Sequence, residues 1–178
     1  LTPNYFDNFG PNNNTLSKEN IFTGENIAGV SGSTEIKFFW IGPLNGGQFT
    51  GGYNGFCTTK EYYEKFEAAD QRRGGDYTNM TNISGIRTGF LVGQQYNQNG
   101  VALKDGKRGA PLIYDSKVAL EETDDLHMLI AGIRVIKYPI DYGQSSGHIP
   151  GNDWVYLRYA DVLMMKAEAL LRTNKASE

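Results

Sequence analysis

The sequence predicts an α+β fold that is rich in loops, with short strands and hairpins closed by one helix. Three observations point to it. The 22 glycines, together with many asparagines, are typical of turns and loops rather than of a helical bundle. Short stretches of alternating apolar residues are separated by Asn-Gly and Asp-Gly pairs, which indicate hairpins. Residues 158–173 have helical periodicity. The length fits a single unit over residues 1–178.

The N-terminal third is predicted to be loop with two short strands. Residues 1–20 are rich in Asn and carry aromatic residues that would pin a loop against the body. A strand begins at Ile21, and a second strand covers residues 35–41, where apolar side chains recur at every second position. Residues 42–55 form a long glycine-rich loop without the pattern of a phosphate-binding loop.

A helix is predicted over residues 59–70. Thr58 and Glu61 have the spacing of a capping box at its start. Asp70 and Arg73 lie one turn apart near its end, so we expect them to pair and to cap the helix.

The remainder is predicted to be hairpins, one buried strand and the closing helix. Residues 84–120 carry the two strongest turn signals, and residues 128–138 form a buried strand. Asn152 and Asp153 are turn formers and candidate caps for the last helix. That helix has two apolar strips, so both of these faces are expected to be buried against other parts of the protein or a partner. We expect the first strip to pack on the body (Ala160, Leu163, Ala167, Leu170) and the second to await a partner (Val162, Met165, Ala169).

Composition excludes several function classes. A net charge of −3 gives no basic field for nucleic acid. No apolar run approaches the length of a transmembrane helix, and the sequence starts without a signal peptide or lipid-attachment cysteine. Cys57 has no partner for an intramolecular disulfide and is predicted to be a small core residue.

Catalytic and metal motifs are lacking. His127 and His148 do not have metal-ligand spacing, and there is no nucleophile elbow. A dyad of Cys57 with a histidine, or a pair of carboxylates for glycoside hydrolysis, stays open because only separation in space decides it. The acidic residues 121–125 lack the spacing of a calcium loop, so we interpret them as a solvated loop. Glycosylation sequons at Asn13, Asn79 and Asn82 are expected by chance in so Asn-rich a chain.

Three stretches in the same order resemble the SusD/RagB family. The first is Gly55-Phe-Cys-Thr-Thr-Lys-Glu-Tyr-Tyr-Glu-Lys-Phe-Glu-Ala-Ala-Asp-Gln-Arg-Arg73. The second is Gly132-Ile-Arg-Val-Ile-Lys-Tyr-Pro139. The third is Asn152-Asp-Trp-Val-Tyr-Leu-Arg-Tyr-Ala-Asp161, followed by Val-Leu-Met-Met-Lys-Ala-Glu-Ala169. Within this resemblance the chain corresponds to the C-terminal portion of a longer protein, and residues 158–173 to a helix of its last tetratricopeptide-like pair.

The resemblance implies a function without catalysis. Members of the family are glycan-binding lipoproteins on the outer membrane of Bacteroidota, and they deliver oligosaccharides to a SusC-like TonB-dependent transporter. It implies no catalytic residue, metal or cofactor in this chain, and a lipid anchor that lies outside these residues. Two other classes stay open, a glycan-active hydrolase and a helical-repeat interaction scaffold.

The glycine-rich loop is the predicted glycan site. Aromatic rings stack on the C–H faces of sugars, and amide side chains bond to their hydroxyls, so a site needs both on a supported loop. Members of the family also place binding aromatics in the loops before the helix matched by residues 59–70. The candidate residues are Trp40, Phe49, Tyr53, Asn45, Gln48 and Asn54. For Trp40 an end-of-strand core position is an equal alternative, whereas Trp154 is expected to be structural.

Overall fold

The computed structural model describes residues 1–49, 51–75, 86–144 and 149–175, and only the backbone of Trp40. The strands are β1 (Asn20–Gly24), β2 (Gly74–Gly75), β3 (Thr88–Leu91), β4 (Gly93–Gln94), β5 (Ile113–Tyr114), β6 (Arg134–Ile136) and β7 (Trp154–Arg158). The α-helices are α1 (Asn13–Leu16), α2 (Phe38–Ile41), α3 (Lys60–Tyr63), α4 (Asp125–Met128) and α5 (Tyr159–Arg172). Single 3₁₀ turns cover Tyr5–Asn8, Glu35–Lys37, Gln71–Arg73 and Tyr142–Gln144. The predicted α+β class is confirmed.

In the described residues, three small antiparallel sheets join distant parts of the chain. β1 pairs with β7, β3 lies between β2 and β6, and β4 pairs with β5. The β1–β7 ribbon joins the N-terminal segment to the strand directly before α5. Each sheet is too small to be stable alone, so packing between them is required.

One apolar cluster holds the sheets together. Its buried members are Phe9, Ile36, Leu44, Phe49, Leu91, Leu112, Tyr114, Ile136, Tyr138 and Ile140. Trp154 is half-buried and packs against this cluster, with its ring centroid 5.4 Å from that of Phe39. The structural role predicted for Trp154 agrees with this position.

A buried amide network joins the N-terminal segment to β7. The Asn13 side chain donates to the Asp153 carbonyl (3.0 Å) and accepts from the Asp153 N–H (2.9 Å). The Asn152 side chain donates to the carbonyls of Phe9 (2.8 Å) and Pro139 (3.0 Å). Capping of the last helix by Asn152 or Asp153 is therefore wrong. Arg158 precedes α5, and its N–H donates to the Asp161 carboxylate at 2.8 Å.

The strand predicted over residues 35–41 is wrong, because this stretch is a 3₁₀ turn followed by α2. Ile36 is fully buried and Phe39, three positions later, packs on the core, whereas Phe38 is 59% exposed. Burial three positions apart is helical spacing, and alternation over so few residues did not distinguish it from a strand.

Other boundaries differ from the prediction as well. The helix of residues 59–70 is a single turn, α3, and its cap is Thr59 rather than Thr58. Asp70 pairs with Arg72 rather than with Arg73, and its carboxylate caps the next 3₁₀ turn. Residues 128–138 contain only the short strand β6, which α4 and a turn precede.

The helix predicted over 158–173 is confirmed as α5, but its predicted packing is wrong. Leu163 is 38% exposed and no residue of α5 is buried. β7 ends at Arg158 and α5 starts at Tyr159, so no loop turns the helix back onto the sheets. No helix in the described part of the chain has the length and apolar character needed to cross a membrane.

Cys57 is exposed, so the predicted core position is also wrong. Its neighbour Thr58 exchanges backbone hydrogen bonds with Ile133, at 2.7 Å and 3.0 Å. The Cys57 thiol packs against Gly132, next to the bridge between Thr58 and Ile133.

Candidate functional site

The glycine-rich loop is a closed turn fastened at both ends. The N–H groups of Tyr53, Asn54 and Gly55 donate to the carbonyls of Ile41 (2.8 Å), Leu44 (2.9 Å) and Gly42 (2.8 Å). The loop thus returns beside the segment from which it started, as a hairpin does. These backbone bonds hold the returning end of the loop, where Tyr53 lies, without a regular strand.

The structure separates the predicted site residues into an exposed one and several interior ones. Tyr53 is 66% exposed and offers its ring to solvent. Phe49 is 5% exposed and belongs to the core, and Asn45 is 7% exposed, so the accessibility expected of both is wrong. Gln48 and Asn54 are half-buried. The Trp40 side chain lies outside the described residues.

The Asn45 backbone and the Gln48 side chain are joined through the Tyr114 hydroxyl, which supports the loop. The Tyr114 hydroxyl accepts from the Asn45 N–H (3.1 Å) and donates to the Gln48 side-chain oxygen (2.8 Å). Gln48 in turn donates to the Gln95 side chain at 3.0 Å. Burial raises the pKa of Tyr114 to about 12, so this hydroxyl keeps its proton and stays a donor at neutral pH.

Asn54 fixes the other end of the loop. It has a φ of +52°, a conformation that non-glycine residues adopt at a cost. Its side-chain oxygen accepts from Nη2 of Arg134 at 2.8 Å, and its amide donates to the Leu129 carbonyl at 3.1 Å. These bonds hold the residue next to Tyr53 in place.

Phe56 is a surface aromatic that the sequence did not single out. It is 59% exposed, and its ring covers Gly42, where a Cβ would lie 2.6 Å from Phe56 Cε1. A glycine at 42 is therefore what lets the ring lie against the loop. The signal was present in the sequence, because an aromatic directly follows Gly55 at the loop's end.

The acidic residues 121–125 are partly engaged rather than simply solvated. The Glu122 carboxylate is hydrogen-bonded to Nδ1 of His127, and Asp115 lies 3.4 Å from Nε2 of the same ring. The Glu122 contact raises the pKa of His127 above its ordinary value. Among the described residues, no group of His, Cys, Asp and Glu side chains has an arrangement that could hold a metal ion. His148 lies outside the described residues.

Only one of the three sequons can be placed. Asn13 is fully buried, so an oligosaccharide could not be attached to it in the folded chain. Asn79 and Asn82 lie outside the described residues.

Comparison with protein-family models gives a match to the SusD family over residues 12–178. The chain belongs to the SusD family. Membership implies glycan binding in nutrient uptake. Comparison with curated proteins and comparison with solved structures each gave no match.

Proposed function

We propose that this SusD-family chain is part of a non-catalytic cell-surface protein that binds oligo- or polysaccharide and delivers it to a SusC-like TonB-dependent outer-membrane transporter. A lipid anchor on the outer membrane of a member of the Bacteroidota belongs to the same proposal. So does the assignment of α5 to a tetratricopeptide-like pair, whose partner helix would cover the exposed apolar strips.

The observation that carries the proposal is the exposed Tyr53 ring on a loop that is bonded from below. A sugar ring can lie on such an aromatic face, and the loop loses little freedom on binding because Tyr114 and Arg134 already hold it. Phe56 adds a second exposed ring at the end of this loop. Trp40 remains part of the proposed site, and we assign to Phe49, Asn45, Gln48 and Asn54 the role of shaping the loop that presents Tyr53.

The test is retardation of the protein in gels that contain polysaccharide, with release of reducing ends measured in parallel. Tyr53→Ala should weaken retardation about tenfold, the effect of losing roughly 1.4 kcal/mol of ring contact. Tyr156→Ala is the matched control, since Tyr156 is 61% exposed and lies on β7. Equal effects of the two substitutions would argue against the loop as the site. Release of reducing ends by the wild type would instead indicate a hydrolase.

The transporter part has its own test. The tagged full-length protein purified from outer membranes should bring a TonB-dependent barrel with it. Repeated purification without such a barrel would remove delivery from the proposal and leave binding untouched.

A further inference from the structure

A cavity of about 370 Å³ lies beside the 3₁₀ turn Gln71–Arg73, between α3 and strands β2, β3 and β4. This volume is within the range of small-ligand pockets. The lining residues are Tyr63, Ala68, Arg73, Gly74, Arg87, Phe90, Leu91, Val92, Gln94 and Gln95. None of the described loop residues 42–49 and 51–55 lines it.

Among its described lining residues, the cavity has positive charge and no acidic side chain. Two arginines line it, Arg73 and Arg87. The nearby carboxylate of Asp70 is engaged elsewhere, because both of its oxygens accept from Arg72, at distances of 2.5–3.0 Å. The field inside the cavity therefore favours an anionic group.

Arg73 is held in a fixed position. Its Nη1 donates to the Phe66 carbonyl at 3.1 Å, and its guanidinium lies 4.2 Å from the centroid of the Tyr63 ring. A planar guanidinium fixed in this way is suited to a carboxylate or a sulfate, since it can donate two parallel hydrogen bonds. Arg87 is exposed at the rim of the cavity, directly before β3.

Amide side chains also line the cavity, from Gln94 and Gln95. The Gln94 side-chain nitrogen donates to the carbonyls of Gln95 (2.8 Å) and Leu103 (3.0 Å), which fixes the side chain. No donor among the described residues reaches its amide oxygen, so a sugar hydroxyl can donate to it. Gln95 accepts from Gln48 of the glycan loop. This hydrogen bond thus links the lining of the cavity to the glycan loop.

We propose that this cavity is a subsite for an acidic sugar, whose carboxylate or sulfate ester is bound by Arg73 and Arg87. The inference rests on the proposed glycan-binding function and names its substrate class as anionic glycan. A carboxylate and a sulfate ester would accept the same hydrogen bonds from the arginines. The experiment therefore needs a separate probe for each anionic group.

The experiment measures binding of the whole chain to four oligosaccharides of matched length. These are an oligogalacturonate, its fully methyl-esterified form, a sulfated galactan oligosaccharide and a neutral glucan. We expect the oligogalacturonate, the sulfated probe or both to bind about tenfold more tightly than the neutral probes, as a charge-assisted contact provides. Whichever charged probe gains affinity identifies the anionic group.

Arg87→Gln is the test variant, because an exposed side chain can be neutralised without loss of folding. This variant should bind the charged probe no more tightly than the neutral probes. Its affinity for the neutral probes should equal that of the wild type. Arg172→Gln on α5 is the control, because the Arg172 side chain is 77% exposed. It should change the affinity neither for the charged probe nor for the neutral probes. Arg73→Lys keeps the charge but not the planar fork, so it should lower affinity for the charged probe about threefold or more.

The outcomes separate the two proposals. If neutral glycans bind and Tyr53→Ala weakens them, but charged probes bind no more tightly and Arg87→Gln has no effect, the acidic subsite is overturned and the proposed function stands. If neither charged nor neutral glycans bind, the acidic subsite and the proposed function are both overturned.

Discussion

The side-chain oxygen of Asn54 accepts two hydrogen bonds from Arg134, at 3.2 Å from Nε and 2.8 Å from Nη2. Arg134 is only 2% exposed, and no salt bridge reaches it from the described residues. Its other donors meet the carbonyls of Ala131 (2.5 Å) and Gly132 (3.0 Å). Burial lowers the pKa of this guanidinium, yet neutral oxygens surround its charge. Asn54 is thus both the loop's anchor and part of the solvation of a buried cation.

Asn54→Ala should therefore lower the free energy of unfolding by about 2–4 kcal/mol, because it leaves guanidinium donors unpaired and forces alanine into a positive φ. Asn54→Gly loses the same bonds but adopts this φ freely, so it should cost about 1 kcal/mol less. Urea unfolding of the three proteins measures both differences. An alanine variant as stable as the wild type would show that water replaces Asn54 at no cost.

A second prediction concerns the amide network beneath β7. Asn13→Ala removes three side-chain hydrogen bonds, two with Asp153 and one with the Asn8 carbonyl. Because the partners are buried, we expect a loss of about 3 kcal/mol. Asn14→Ala is the control, since Asn14 is the exposed neighbour, and it should stay within about 0.5 kcal/mol of the wild type. Similar midpoints for both variants in urea would contradict the structural role of this network.

The sequence predicted α5 and the turn at Asn97–Gly100 because their signals are local. Helical periodicity and turn chemistry act within a few residues, and the turn closes with a bond of 2.9 Å from the Gly100 N–H to the Asn97 carbonyl. The packing of α5 was not predictable, because the direction in which a helix leaves a strand depends on the connection rather than on its apolar face.

The candidate site likewise combines features that local sequence signals predict with features that depend on distant residues. The loop of residues 42–55 and the exposed Tyr53 follow from glycine content and aromatic placement. The interior roles of Asn45 and Asn54 could not be predicted, because their partners Tyr114 and Arg134 are 69 and 80 positions away. The cavity lined by Arg73 and Arg87 depends likewise on pairing between β2 and β3, which a strand of only two residues, β2, does not signal in advance.

Gly132 provides a steric prediction. It has a φ of +80°, and a Cβ there would overlap the Cys57 side chain. Gly132→Ala should cost clearly more than the roughly 1–2 kcal/mol expected from backbone strain alone. Gly109→Ala is the control, because Gly109 has a φ of +64° and nothing within 4 Å of the Cβ position. The difference in unfolding free energy between the two variants isolates the overlap with Cys57, and a difference near zero would mean that the thiol moves aside without cost.

The last prediction concerns pH and the contact between His127 and Glu122. This hydrogen bond is the main cause that raises the pKa of His127 above 6.5, and it lowers the pKa of Glu122 below 4.5. A raised histidine pKa stabilises the fold fully below the unfolded value and loses that effect as pH rises through the folded one. A lowered carboxyl pKa stabilises above the unfolded value and loses that effect as pH falls through the folded one.

The two conditions overlap between pH 4.5 and pH 6.5, so the contact should contribute most in that window. The stability difference between the wild type and His127→Gln should accordingly be larger at about pH 5.5 than at about pH 8. Asp115 adds to this effect, because its carboxylate lies 3.4 Å from the other ring nitrogen. In NMR titrations, Glu122→Gln should bring the pKa of His127 down toward its ordinary value. A His127 pKa that does not respond to this substitution would show that the two side chains do not interact in solution.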